Sequence, residues 1–118
     1  MLFRSLSRMP TLQLSQATAL RSVLQHAARK HGIDLTPKYE CTQAQTLIAM
    51  AHVELGAAIL PMSIIPQRLD KRVQALRIVQ PALRRPVGLI TWPHRSLSPA
   101  AARLAQLCLQ RHKTASTA

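Results

Sequence analysis

At 118 residues the chain has room for one domain with a core of its own, which excludes a two-domain protein. Apolar residues make up 47%, which excludes an intrinsically disordered chain, and no apolar run reaches the roughly 18 residues of a membrane span. Sixteen Lys and Arg face four acids, and the formal charge of +12 points to an anionic partner; Phe3, Tyr39 and Trp92 are too few aromatics for a base-stacking platform.

The opening MLFRSLSRM is rich in Arg and Ser and free of acids. It suits a transit peptide or a ragged start, and residues 1–10 are read as a ragged segment before a domain spanning 11–112. Thr11 to Leu14 reads as a short strand, followed by Ser15 at a helix N-cap position. Leu20, Val23, Leu24 and Ala27 recur at i, i+3, i+4, i+7, with Arg21, Ser22, Gln25, Arg29 and Lys30 on the other face of an amphipathic helix. Gly32 stops that helix, since glycine enters the left-handed region without strain.

Pro37 to Cys41 is extended. Thr42-Gln43-Ala44-Gln45 has the pattern of a capping box, in which the Thr42 hydroxyl accepts from the Gln45 N–H. The second helix carries Ala44, Leu47, Ile48, Ala51 and Leu55 on one face and ends at Gly56. Ala57 to Leu60 is a continuous apolar run, as expected for a strand covered on both sides.

Pro61 to Leu69 reads as a short helix or turn, Val73 to Val79 as a strand, Gln80 to Arg85 as a loop, and Pro86 to Trp92 as another strand. Ser98-Pro99 starts a closing helix, with Ala101, Leu104, Ala105 and Cys108 on one face. The tail from 113 to 118 is polar and expected to be disordered. Strands alternating with helices at this spacing predict βαβ units on a mostly parallel sheet, an α/β fold.

The chemistry-bearing residues are sparse. Cys41 and Cys108 lie far apart with no partner at metal-ligand spacing, so a reduced, cytosolic chain without metal or cofactor is expected. His26, His31, His52, His94 and His112 have no paired acid, and no GxSxG or phosphate-binding glycine loop occurs, so no enzyme activity is expected. The basic residues are mostly scattered, with adjacent pairs only at Arg29-Lys30, Lys71-Arg72 and Arg84-Arg85, which is the pattern of a solvated surface. The competing reading is a free-standing basic module that binds nucleic acid non-specifically and releases it steeply with salt.

Four stretches carry a resemblance: SRMPTLQLSQATALRSVLQHAARKHGIDL, YECTQAQTLIAMAHVELGAAILP, QPALRRPVGLITW and LSPAAARLAQLCL. In this order and spacing the chain resembles the second subdomain of the effector-binding (substrate-binding) domain of LysR-type transcriptional regulators, over about residues 7 to 110. The resemblance departs at Glu54, which stands where the family usually has the first of two glycines; Gly56 keeps the second. The family's winged helix-turn-helix, linker helix and first sensor lobe do not precede Met1, so a partial sensor without its own DNA-reading module is expected.

The resemblance implies a periplasmic-binding-protein-like (type 2) subdomain, a mostly parallel sheet flanked by helices. It implies a small, anionic organic effector held in a cleft between two lobes, homo-oligomerisation, and DNA contact only through the helix-turn-helix. Thr42 matches a polar position that faces the effector in the family, beside its reading as a capping residue. Ser15 and Gln16 fit either effector contacts from the cleft wall or a plain helix start. Cys41 either lines the cleft or is a buried structural thiol, and Arg21 and Arg84-Arg85 either hold an effector carboxylate or another subunit, or are solvated.

Overall fold

A computed structural model describes residues 1–115. The chain divides into two compact units, Met1–Arg85 and the segment from Pro86 onward. In the first unit three strands, β1 (Thr11–Leu14), β2 (Tyr39–Cys41) and β3 (Ala57–Ala58), form a parallel sheet in the order β2-β1-β3. The register pairs Leu12 with Tyr39, Gln13 with Glu40 and Leu14 with Cys41 on one side, and Thr11 with Ala57 and Leu12 with Ala58 on the other. The third strand is shorter than the apolar run predicts, though the Ile59 N–H still donates to the Leu12 carbonyl at 3.0 Å. Helices α1 (Ala19–His31) and α2 (Ala44–His52) make the crossovers. The first crossover runs from β1 out to β2 and the second from β2 back past β1 to β3, and right-handed crossovers running in opposite directions lie on opposite faces.

Side-chain alternation along β1 sorts the core. Phe3, Leu6, Leu20, Leu24, Leu35 and Ile59 belong to one buried cluster on the α1 side. Leu12 points the other way, and both it and Leu47 of α2 are fully buried.

The two helices end in the same way. In α1, Gly32 takes φ 60°, the Ile33 N–H donates to Ala28 O at 2.9 Å and the Gly32 N–H to Arg29 O. In α2, Glu54 takes φ 60°, the Leu55 N–H donates to Met50 O and the Glu54 N–H to Ala51 O, each at 3.1 Å. Both are Schellman motifs, and the second puts a glutamate in the left-handed residue that favours glycine. The helix therefore stops at His52, short of Gly56. Gly56 answers a different demand: a Cβ there would lie 2.5 Å from the Pro10 carbonyl oxygen, where the chain passes to enter β3.

Several expectations are corrected. Residues 1–10 are not ragged: Phe3–Arg8 is a 3₁₀ helix, and Phe3 is 0% exposed. A short parallel bridge joins Leu2 to Val79, with the Phe3 N–H on Val79 O at 2.9 Å and the Val79 N–H on Met1 O at 3.0 Å. That bridge is the only strand-like pairing of 73–79, because the rest of that stretch has no neighbouring ladder. Thr18 rather than Ser15 caps α1, its Oγ1 accepting from the Arg21 N–H at 3.3 Å. Ser15 instead closes the preceding turn, its carbonyl accepting from both the Thr18 N–H and the Thr18 hydroxyl. Gln43 rather than Thr42 is the N-cap of α2, and no side chain caps that helix.

In the second unit, 86–92 forms no strand, and Val87, Ile90 and Trp92 are exposed. A strand is held by its ladder, and among the described residues of this unit there is none. Helix α3 (Pro99–Ala115) starts as expected, with Ser98 Oγ accepting from the Ala101 N–H at 3.3 Å. Leu104 and Cys108, placed on its apolar face, are exposed. The helix takes in 113–115, assigned above to the tail, and 116–118 lie outside the described residues.

Two stability outcomes follow from this packing. Phe3→Ala lowers unfolding free energy by about 3–5 kcal/mol, measured by urea denaturation, whereas a frayed N-terminus would leave it unchanged. Glu54→Gly raises it by about 1 kcal/mol by relieving the left-handed residue; a loss on the same measurement would contradict the Schellman assignment.

Candidate functional site

Because the three strands are parallel, their carboxyl ends share one edge of the sheet. Such edges are where open α/β sheets hold ligands. The loop from Ser15 to Thr18 leaves β1 there, and Thr42 and Gln43 leave β2 there. The Ser15 N–H donates to the Cys41 carbonyl at 3.0 Å, which locks the two loops side by side.

This brings Ser15, Cys41 and Thr42 together, with Gln16 next in the same loop. Ser15 is half-buried, and Gln16 and Thr42 are exposed. Freed of the capping role, the Thr42 hydroxyl has no hydrogen-bond partner among the described residues. Cys41 turns the other way, toward α2, where its thiol lies 3.8 Å from Met50 Sδ. The first turns of α1 and α2 contain no acid, and a helix start of that kind favours negative charge.

A larger groove of about 560 Å³ lies along α1 and includes Gln16 but not Ser15, Cys41 or Thr42. Its polar wall contains Gln13, Arg21, Lys38 and Glu40. Arg21 corrects the sequence reading: it is 5% exposed rather than solvated, and its Nη2 pairs with Glu40 Oε1 at 2.9 Å. The reason is the register, which puts Glu40 directly beside Gln13 under the start of α1. The signal was present in the sequence, since Glu40 is one of only four acids and falls inside a predicted strand. Gln13 is also buried, its Nε2 donating to Thr11 Oγ1 at 2.9 Å and Leu35 O at 3.0 Å. A smaller, apolar pocket of about 300 Å³ flanks β3 and contains Ile48, Ile59, Leu60 and Ile78.

Among the described residues no group of three His, Cys, Asp or Glu is placed to hold a metal ion. The His52 ring is occupied at the end of α2, with Nδ1 2.8 Å from Ile48 O. No helix among the described residues is long and apolar enough to cross a membrane.

A family model described as the LysR substrate binding domain matches residues 2–113. No curated protein and no solved structure matches the chain.

The groove wall also carries a pH dependence. The Asp34 carboxylate accepts the Thr36 hydroxyl at 2.6 Å and the Thr36 N–H at 2.9 Å, and these bonds hold its pKa below the ordinary 3.8. A depressed folded-state pKa gives stability that is full above the ordinary value and is lost as the pH falls through the lower one. The Asp70 carboxylate is lowered in the same direction by its bonds to Arg72. Asp34→Asn therefore flattens the acid limb of stability below about pH 4 without abolishing it, as read from urea midpoints across a pH series.

Proposed function

The chain belongs to the LysR substrate-binding domain family, and on that premise we propose that it senses a small organic anion at the joined loops after β1 and β2. The family match over residues 2–113 carries the reading. The loop geometry supports its location, because the Ser15 N–H on the Cys41 carbonyl joins the two loops there and the first turns of both following helices lack acids.

In this reading Thr42 donates its hydroxyl to an effector carboxylate, and Ser15 and Gln16 supply further polar contacts from the neighbouring loop. The uncapped N–H groups of α2 favour negative charge at the same edge. Cys41 sets the position of Thr42 through the carbonyl that Ser15 grips, while its thiol serves the packing against α2. No residue is assigned a catalytic step. The sensor acts in the cytoplasm as part of an oligomeric transcriptional regulator, where the effector's differential affinity for two arrangements shifts their balance. DNA contact belongs to a separate helix-turn-helix module.

A thermal-shift screen of small organic acids tests this. An acid at 100 times its dissociation constant adds about 2.7 kcal/mol of stability. Thr42→Ala, at an exposed and unbonded side chain, leaves the ligand-free melting temperature unchanged and weakens that acid by about tenfold. Stabilisation by none of the acids would remove the anionic effector; equal binding by the variant would remove Thr42.

A further inference from the structure

We propose that the exposed basic residues gathered around Phe3 form a surface that holds the phosphate backbone of duplex DNA without reading its sequence. Those residues are scattered along the chain, and the packing of Phe3 brings them together. Its ring meets the His31 ring edge-on, with centroids 6.1 Å apart, which puts Arg4 near Lys30 at the end of α1. Its N–H donates to Val79 O at 2.9 Å, and in the same bridge the Met1 amino group donates to Arg77 O at 3.1 Å. Leu83 packs against the buried cluster that contains Phe3 and Leu6, so Arg84 and Arg85 begin at its border. All five cations are exposed. Phe3 shares that cluster with Ile59, which follows β3, whereas Glu40 lies in β2 on the other side of β1. The surface is therefore on the β3 side of α1.

Nothing in the described residues neutralises these cations. The two ion pairs are Arg21 with Glu40 and Arg72 with Asp70, and none of the five takes part in either. Of the remaining acids, the Asp34 carboxylate is bonded to Thr36, and the charge of Glu54 acts on Arg72. Uncompensated positive charge gathered in this way raises the local concentration of a polyanion. Four of the five are arginines, whose planar forks match phosphate oxygens. Phe3 is 0% exposed, Tyr39 lies in β2 and Trp92 in the second unit, so the surface has no aromatic on which an unpaired base could stack. That favours a duplex over a single strand. The choice of DNA among polyanions rests on the family reading, which places the domain in a transcriptional regulator. The contact adds a sequence-independent grip to a helix-turn-helix that reads bases.

The test is fluorescence anisotropy of a labelled duplex of about 20 base pairs, titrated with the 118-residue chain across a salt series. With four cations engaged, log K falls against log salt with a slope of about −3.6, which is about 150-fold between about 50 and 200 mM. Arg4→Gln with Arg77→Gln halves that slope, so the same salt step costs only about 12-fold. Arg95→Gln with Arg103→Gln removes the same two charges from the formal +12, in the second unit, and leaves the slope unchanged. Unrelated duplex sequences bind alike. No binding at the lowest salt overturns the proposal, as does an equal loss of slope in both double variants, which would make it an effect of net charge alone. Tighter binding to the single strand, or equal binding to poly-glutamate, overturns the duplex as the partner. The assay contains no effector, so failure of every organic acid in the thermal-shift screen leaves its outcome untouched, and Thr42→Ala binds the duplex as the unmodified chain does.

Discussion

Everything else in the first unit depends on the parallel pairing of β1 with a strand on each side. Parallel neighbours cannot be joined by a tight turn, so each connection must climb back across the sheet. That requirement produces α1 and α2, puts them on opposite faces, and brings every strand's carboxyl end to one edge. It also explains why β1 buries Thr11, Leu12 and Gln13 in succession: a strand with neighbours on both sides and helices on both faces has no solvent side.

The price of this arrangement is polar burial. Gln13 and Arg21 sit on the α1 face among Leu20, Leu24 and Ala27, where an apolar pair would pack without orphaned atoms. Arg21 is held by one partly exposed carboxylate, and an ion pair of this kind gives position more than stability. Both side chains line the groove along α1.

The helix ends show how one geometry can be met by different residues. Gly32 and Glu54 occupy equivalent positions in two Schellman motifs, one at ease in the left-handed region and one strained there. Glu54 keeps the left-handed backbone without the glycine that favours it. Gly56 is constrained instead by the Pro10 carbonyl, a contact between residues 46 positions apart that no local reading reveals.

Local periodicity and chain-stop signals determined much of this protein from the sequence alone. The bounds of β1, the apolar stripe Leu20–Leu24–Ala27, the Gly32 stop and the Ser98 start all rest on interactions within a few residues. The four quoted stretches determined the family by their order. What only the tertiary structure decided rests on distant partners. Phe3 joined the core because Val79 accepts its N–H, and Arg21 left the solvent face because the strand register put Glu40 beneath it. Thr42 lost its capping role because α2 takes Gln43 as its N-cap, and 86–92 failed to become a strand because extended backbone needs a ladder that the described residues of its own unit do not supply. Propensity and period act over one or two turns; pairing, burial and charge neutralisation act between residues that only the folded chain brings together.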